Sequence, residues 1–125
     1  MSMLNFNSIL IFSEKPKVLA EFYQRVFDSK PVWEGQDYTV WKVGDGYITV
    51  GPHDKVHGKN EHPERLMFNL ETKEIKEEFE RIKELGAHVV KDPYAPEETE
   101  GEGQIATFAD PDGNFFQLMT PMPMD

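Results

Sequence analysis

Apolar residues along this chain change their spacing from two to three-and-four and back again, and they do so twice. Residues 3–12, MLNFNSILIF, gather aromatic and β-branched residues toward their end and predict a strand. Ser13 stands where a helix N-cap belongs and Pro16 falls in the first turn. Leu19, Phe22, Tyr23 and Val26 follow at helical spacing, and Asp28-Ser29 closes the segment. Three short strands come next: Pro31 to Glu34, Tyr38 to Val43 and Tyr47 to Val50. They are divided by Gly35-Gln36-Asp37 and Gly44-Asp45-Gly46, which read as hairpin turns.

A polar stretch with Gly, Asn and Pro, residues 53–63, then connects to a second round. Arg65 to Leu70 predicts a strand, with Thr72 as the cap of the helix that follows. Ile75, Phe79, Ile82 and Leu85 form that helix's apolar stripe, and Gly86 closes it. Ala87 to Val90, Gln104 to Ala109 and Phe115 to Met119 predict the remaining strands, the last two joined by Asp110-Pro111-Asp112-Gly113-Asn114. Between them lies the acidic segment from Glu97 to Glu102, whose charge suits a solvated loop better than a mobile lid.

The order β-α-β-β-β therefore occurs twice, and a slide of the chain tests for a repeat. At an offset of 57, Ser8 lies over Arg65, Val18 over Ile75 and Phe22 over Phe79. The expectation is an α+β protein of one domain over residues 1–125. It has two tandem βαβββ modules, about 1–52 and 64–125, with a linker at 53–63. A four-stranded sheet with a helix on one face leaves its other face bare. Two bare faces placed together would line a cup, a natural small-molecule site.

Composition narrows the function. No apolar run approaches a membrane span, and no basic start or small-residue cleavage site marks a secretory signal. There is no cysteine, hence no thiolate ligand or nucleophile, and a cytoplasmic protein is the simplest expectation. The net charge of −10 is lopsided: residues 1–58 hold six Lys/Arg against seven Asp/Glu, and residues 59–125 hold seven against sixteen. Such a surface repels phosphate backbones, so nucleic acid is not an expected partner.

The helix ending FYQRVF, Phe22 to Phe27, and the closing strand DPDGNFFQL, Asp110 to Leu118, resemble the vicinal-oxygen-chelate superfamily. That group holds glyoxalases, extradiol dioxygenases, fosfomycin-resistance enzymes and bleomycin-resistance proteins. The resemblance covers essentially the whole chain and implies the doubled βαβββ cup and a homodimer. In metal-using members it implies a His or Gln ligand from a module's first strand and a Glu from its last. Those positions fall here on Ser8, Arg65 and Gln117. A hydroxyl, a permanent cation and a neutral amide do not make a divalent site, so the expectation is no metal cofactor.

Two-residue alternation assigns the faces. Phe115, Gln117 and Met119 share one side, as do Ser8, Leu10 and Phe12, and Arg65, Met67 and Asn69. These nine are the expected pocket residues. Gln117 reads either as a ligand-facing amide or as a satisfied core amide. Trp33 and Trp41 offer flat stacking surfaces or ordinary packing. An inward Arg65 suggests an anionic ligand, while the acidic surface suggests a cationic one. His53, His57 and His62 read as members of a solvated loop, and His88 carries no implied role. The expected function is a glyoxalase- or bleomycin-resistance-like protein that binds a small organic molecule. The alternative is a lyase or dioxygenase of the same superfamily using one divalent metal ion. A partner-binding domain that uses its sheet edges is the third reading.

Overall fold

A computed structural model describes residues 2–97 and 103–121. All but one residue of the acidic segment, Glu98 to Glu102, lie outside that description. The described chain has ten elements: β1 (Ser8–Phe12), α1 (Pro16–Phe27), β2 (Trp33–Gly35), β3 (Tyr38–Val43), β4 (Gly46–Gly51), β5 (Phe68–Glu71), α2 (Ile75–Glu84), β6 (His88–Tyr94), β7 (Ile105–Ala109) and β8 (Phe115–Met119). They form two compact units that meet at Gly58 and Lys59, inside the stretch read as a linker.

Each unit is a four-stranded mixed sheet. Unit 1 has the order β1-β4-β3-β2 and unit 2 the order β5-β8-β7-β6. The first strand of each pairs in parallel with its last, and all other neighbours are antiparallel. The doubled βαβββ order is thus present. Several boundaries differ from the sequence reading. β1 begins at Ser8, so residues 3–7 are not strand, and Met3, Leu4 and Phe6 stand exposed. β5 begins at Phe68, because the chain from Pro63 to Leu66 turns, with the Arg65 N–H donating to the His62 carbonyl.

The helix starts have a shared device. Ser13 and Thr72 are not the N-caps, which are Lys15 and Glu74. Instead each hydroxyl accepts the backbone N–H two residues on, at 2.9 Å for Ser13 and 3.0 Å for Thr72. The same two residues donate their own N–H to the end of the parallel partner strand, Ser13 to Gly51 and Thr72 to Met119. Ser13 and Thr72 are therefore equivalent positions, and they differ by 59 rather than 57. The corrected offset pairs Ser8 with Met67, Leu10 with Asn69 and Phe12 with Glu71.

Amphipathic helices cover one face of each sheet. In unit 1, Leu19, Tyr23 and Val26 of α1 are buried with Trp41, Ile48 and Val50 of the sheet. Phe27 stacks on Tyr23 at 5.5 Å and meets the Trp41 ring edge-on at 5.4 Å. In unit 2, Ile75, Phe79 and Ile82 of α2 are buried with Ala106, Phe108, Phe116 and Leu118. There the rings run as a ladder, Phe79 to Phe108 at 5.1 Å, Phe108 to Phe116 at 5.6 Å and Phe116 to Phe68 at 5.8 Å. Trp41 and Phe108 hold equivalent, fully buried positions. Trp41 is thus core rather than a stacking surface. Its indole Nε1 is buried with no hydrogen-bond partner among the described residues, which costs on the order of 1–3 kcal/mol.

Candidate functional site

Residues directly opposite each other on neighbouring strands point to the same side of a sheet. The strand register therefore fixes the contents of each face not covered by a helix. In unit 1 the central row is Leu10, Thr49, Val40 and Trp33. Ser8, Tyr47 and Lys42 flank it on one side; Phe12, Gly51, Tyr38 and Gly35 flank it on the other. The row is apolar but for Thr49, and its ends are open to solvent, with Leu10 54% and Trp33 55% exposed.

Two glycines shape this face. A side-chain carbon on Gly51 would collide with the Tyr38 ring, so that ring lies directly on the Gly51 backbone. The Tyr38 hydroxyl continues over it and donates to the Pro52 carbonyl at 3.3 Å. Trp33 crosses Gly35 in the same manner, at 2.9 Å from where a Cβ would stand. Aromatic rings thus lie close over bare backbone on the uncovered side.

In unit 2 the equivalent row is Asn69, Gln117, Thr107 and Lys91, one residue from each strand. Every member is polar. Gln117 Nε2 donates to Thr107 Oγ1 at 3.0 Å, and Thr107 is nearly buried. Lys91, at the far end, sets its ammonium 5.0 Å over the Tyr94 ring, a cation–π contact. Ala109, Phe115 and His88 flank the row on one side; Ile105, Met119, Glu71 and Tyr94 flank it on the other. With strands spaced about 4.8 Å apart, the row runs about 14 Å across the sheet.

Of the nine expected pocket residues, seven lie on the uncovered faces: Ser8, Leu10 and Phe12 in unit 1, and Asn69, Phe115, Gln117 and Met119 in unit 2. Met67 immediately precedes β5, and Arg65 sits on the exposed turn before it, off the sheet. The Gln117 amide is on the uncovered face, half-buried and already holding one hydrogen bond. Sequence reading missed Lys91 and Thr107. Thr107 carried a usable signal, since it lies opposite Gln117 across the last hairpin. Lys91 did not, because register shifts on both sides of it break the two-residue count along β6.

The metal-ligand positions of the resembled enzymes can now be tested on their donors. Unit 1 supplies the Ser8 hydroxyl. Unit 2 supplies Met67 by backbone equivalence, or Arg65 by sequence offset, and the Gln117 amide. None is an imidazole or carboxylate, and the one good oxygen donor is neutral. These residues do not fit a catalytic divalent ion. Among the described residues no three His, Asp or Glu side chains group so as to hold one. Two of the three linker histidines are engaged otherwise. His53 Nδ1 accepts the Lys55 N–H at 3.1 Å and its ring meets Phe12 edge-on, while His57 lies against Glu14.

A family profile describing a glyoxalase-like domain matches residues 8–119. The chain belongs to that glyoxalase-like family. This places it in the vicinal-oxygen-chelate superfamily, as the Phe22–Phe27 and Asp110–Leu118 motifs suggest. A metallothiol transferase, FosB of Bacillus licheniformis, is 22% identical over 98% of this chain and 79% of the relative. A glyoxalase-related enzyme from Fulvimarina pelagi superposes with a TM-score of 0.76 at 17% identity, covering 98% of this chain and 95% of that one. The fosfomycin resistance protein FosX of Listeria monocytogenes does so at 0.66 and 20%, covering 98% and 95%. At these identities the likeness establishes the glyoxalase-like fold. No helix among the described residues is long and apolar enough to cross a membrane.

Proposed function

We propose that this glyoxalase-like protein binds a small organic molecule without a catalytic metal. The polar row of unit 2 supplies the hydrogen bonds. The observation that carries the reading is the Gln117–Thr107 pair. It sits on the uncovered face, at the strand position where metal-using relatives keep a glutamate. The Thr107 contact orients the amide, and its carbonyl oxygen stands ready for a donor on the ligand. Lys91 gives the row a positive end, so a ligand with an anionic oxygen suits it better than a cation, in spite of the acidic surface. Phe115, Ile105 and Met119, which flank the row in the same sheet, suit the hydrocarbon or aromatic part of such a molecule.

The names of the relatives include a metallothiol transferase, and metal use is the obvious rival. The donor set speaks against it, because a hydroxyl and a thioether or guanidinium take the imidazole positions. Elemental analysis of protein purified without chelator decides the matter. The expected result is substoichiometric metal; one equivalent of Fe, Mn, Ni or Zn sinks the proposal. A thermal-shift screen of small organic acids, aromatic and aliphatic, then seeks the ligand, with hits tested for loss in Gln117→Ala. The same reading takes the protein as a homodimer, which light scattering measures directly.

A further inference from the structure

We propose that the junction between the two units is a double clasp that holds Gly58 on one side and Asn60 on the other and confines the chain's freedom there to Lys59. On the unit 1 side, Glu14, in the loop between β1 and α1, holds the end of the linker. Its Oε2 accepts the Gly58 N–H at 3.1 Å, and its Oε1 lies 3.6 Å from His57 Nδ1. On the unit 2 side, Asn60 uses three groups. Its N–H donates to the Asp112 carbonyl at 2.8 Å, and its Nδ2 donates to Asn114 Oδ1 at 2.9 Å. Its Oδ1 accepts the His62 N–H at 2.9 Å. Each contact stays within its own unit. Lys59 alone separates the two held residues, and Gly58 turns the chain at a φ of +68°, a conformation that favours glycine.

The Asp110–Asn114 turn thereby gains a second role. Asp110 Oδ1 accepts the N–H groups of Asp112 and Asn114 at 2.9 and 3.0 Å, and its Oδ2 accepts Asn114 Nδ2 at 3.0 Å. The Asn114 amide is thus oriented on one side by Asp110 and presents its oxygen to Asn60 on the other. Gly113 turns the chain there at a φ of +83°, a conformation that favours glycine, and the Asn60 backbone lies beside it. A turn that closes a hairpin in unit 2 is also the dock for the incoming linker. The clasp depends on no ligand.

Amide hydrogen exchange on the full chain tests the two halves separately. Glu14→Ala is expected to speed exchange at Gly58 about threefold or more, leaving His62 unchanged. Asn60→Ala is expected to do the same at His62 and leave Gly58 unchanged. Glu14→Gln keeps an acceptor oxygen and is expected to stay near the parent rate. Slow amides of β4 and β8 serve as the control for global unfolding and are expected not to move. In the double variant Glu14→Ala/Asn60→Ala, trypsin is expected to nick after Lys59 at least threefold faster than in the parent. The proposal is overturned if Gly58 and His62 already exchange at unstructured rates in the parent protein. It is also overturned if the single variants leave these amides unchanged, or if Glu14→Gln behaves like Glu14→Ala.

Discussion

Unit 1 and unit 2 share strand order, helix placement and, outside β6, register, yet the central rows of their uncovered faces differ: mostly apolar in one, wholly polar in the other. Leu10, Thr49, Val40 and Trp33 in one occupy the places of Asn69, Gln117, Thr107 and Lys91 in the other. The covered faces diverge far less. Trp41 matches Phe108, Tyr23 matches Ile82, and all four are buried. Packing against a helix constrains volume and polarity at once, whereas a face without a helix answers only to whatever else meets it. The difference between the two rows is therefore where function is to be sought, and the similarity of the two cores is where stability resides.

The largest expected effect breaks the similarity. Phe108→Ala removes the middle ring of the Phe79–Phe108–Phe116 ladder and is expected to cost about 3–5 kcal/mol in urea unfolding. At the equivalent position Trp41→Phe should behave quite differently. It leaves a modest gap but removes an unpartnered indole N–H, so a change within about 1 kcal/mol is expected. A large loss there would mean that the indole N–H is satisfied in solution.

A middle-sized effect sharpens the contrast between the faces. Gly51 corresponds to Met119, and the Tyr38 ring lies over Gly51. Gly51→Ala is expected to cost about 1–3 kcal/mol because the Tyr38 ring must lift. The companion Tyr38→Ala should absorb most of that cost in a double-mutant cycle. Additive costs would show that the ring is free to move away. Gln117→Ala comes next, with a stability change of about 1 kcal/mol or less, since it removes one half-buried side-chain hydrogen bond. A loss several times larger would return Gln117 to the core.

The smallest effect is electrostatic. Glu14 has its pKa lowered, first by the Gly58 N–H that its carboxylate accepts; desolvation opposes this, and His57 and then Lys15 add to the lowering. A carboxyl whose folded pKa is depressed contributes above its unfolded value, and that contribution fades as pH falls through the folded one. Carbon-detected titration should therefore find Glu14 below the ordinary glutamate range, and Glu14→Gln should flatten the acid side of the stability curve slightly. A Glu14 that titrates at the ordinary value would remove this contribution.

The two modules were legible because their apolar periodicities are strong and because turn residues punctuate them. The strands of the hairpins Tyr38–Val43 and Phe115–Met119 came out as predicted for that reason. An offset of 57 maximises apolar matches such as Phe22 over Phe79, whereas the backbone pairs Ser13 with Thr72 at 59. Those two make the same backbone contacts in each unit. β5 is shorter than its apolar run suggests: Leu66 and Met67 are exposed, and the chain there is still completing a turn. Lys91 stayed hidden because the strand reading stopped at Val90, and the irregular register of β6 defeats any count by twos. Nothing in the sequence announced the role of Gly51, which reads as a strand end until Tyr38 is seen lying on it.

The placement of the two tryptophans has an optical consequence. Trp41 is wholly enclosed beside Phe27, and Trp33 is half in water on the uncovered face of unit 1. The first should emit toward the blue and resist acrylamide; the second should emit toward the red and be quenched readily. A molecule settling on that face changes the second signal alone, while melting of the core changes the first. One cuvette thus reports occupancy and unfolding as separate colours, with no label added.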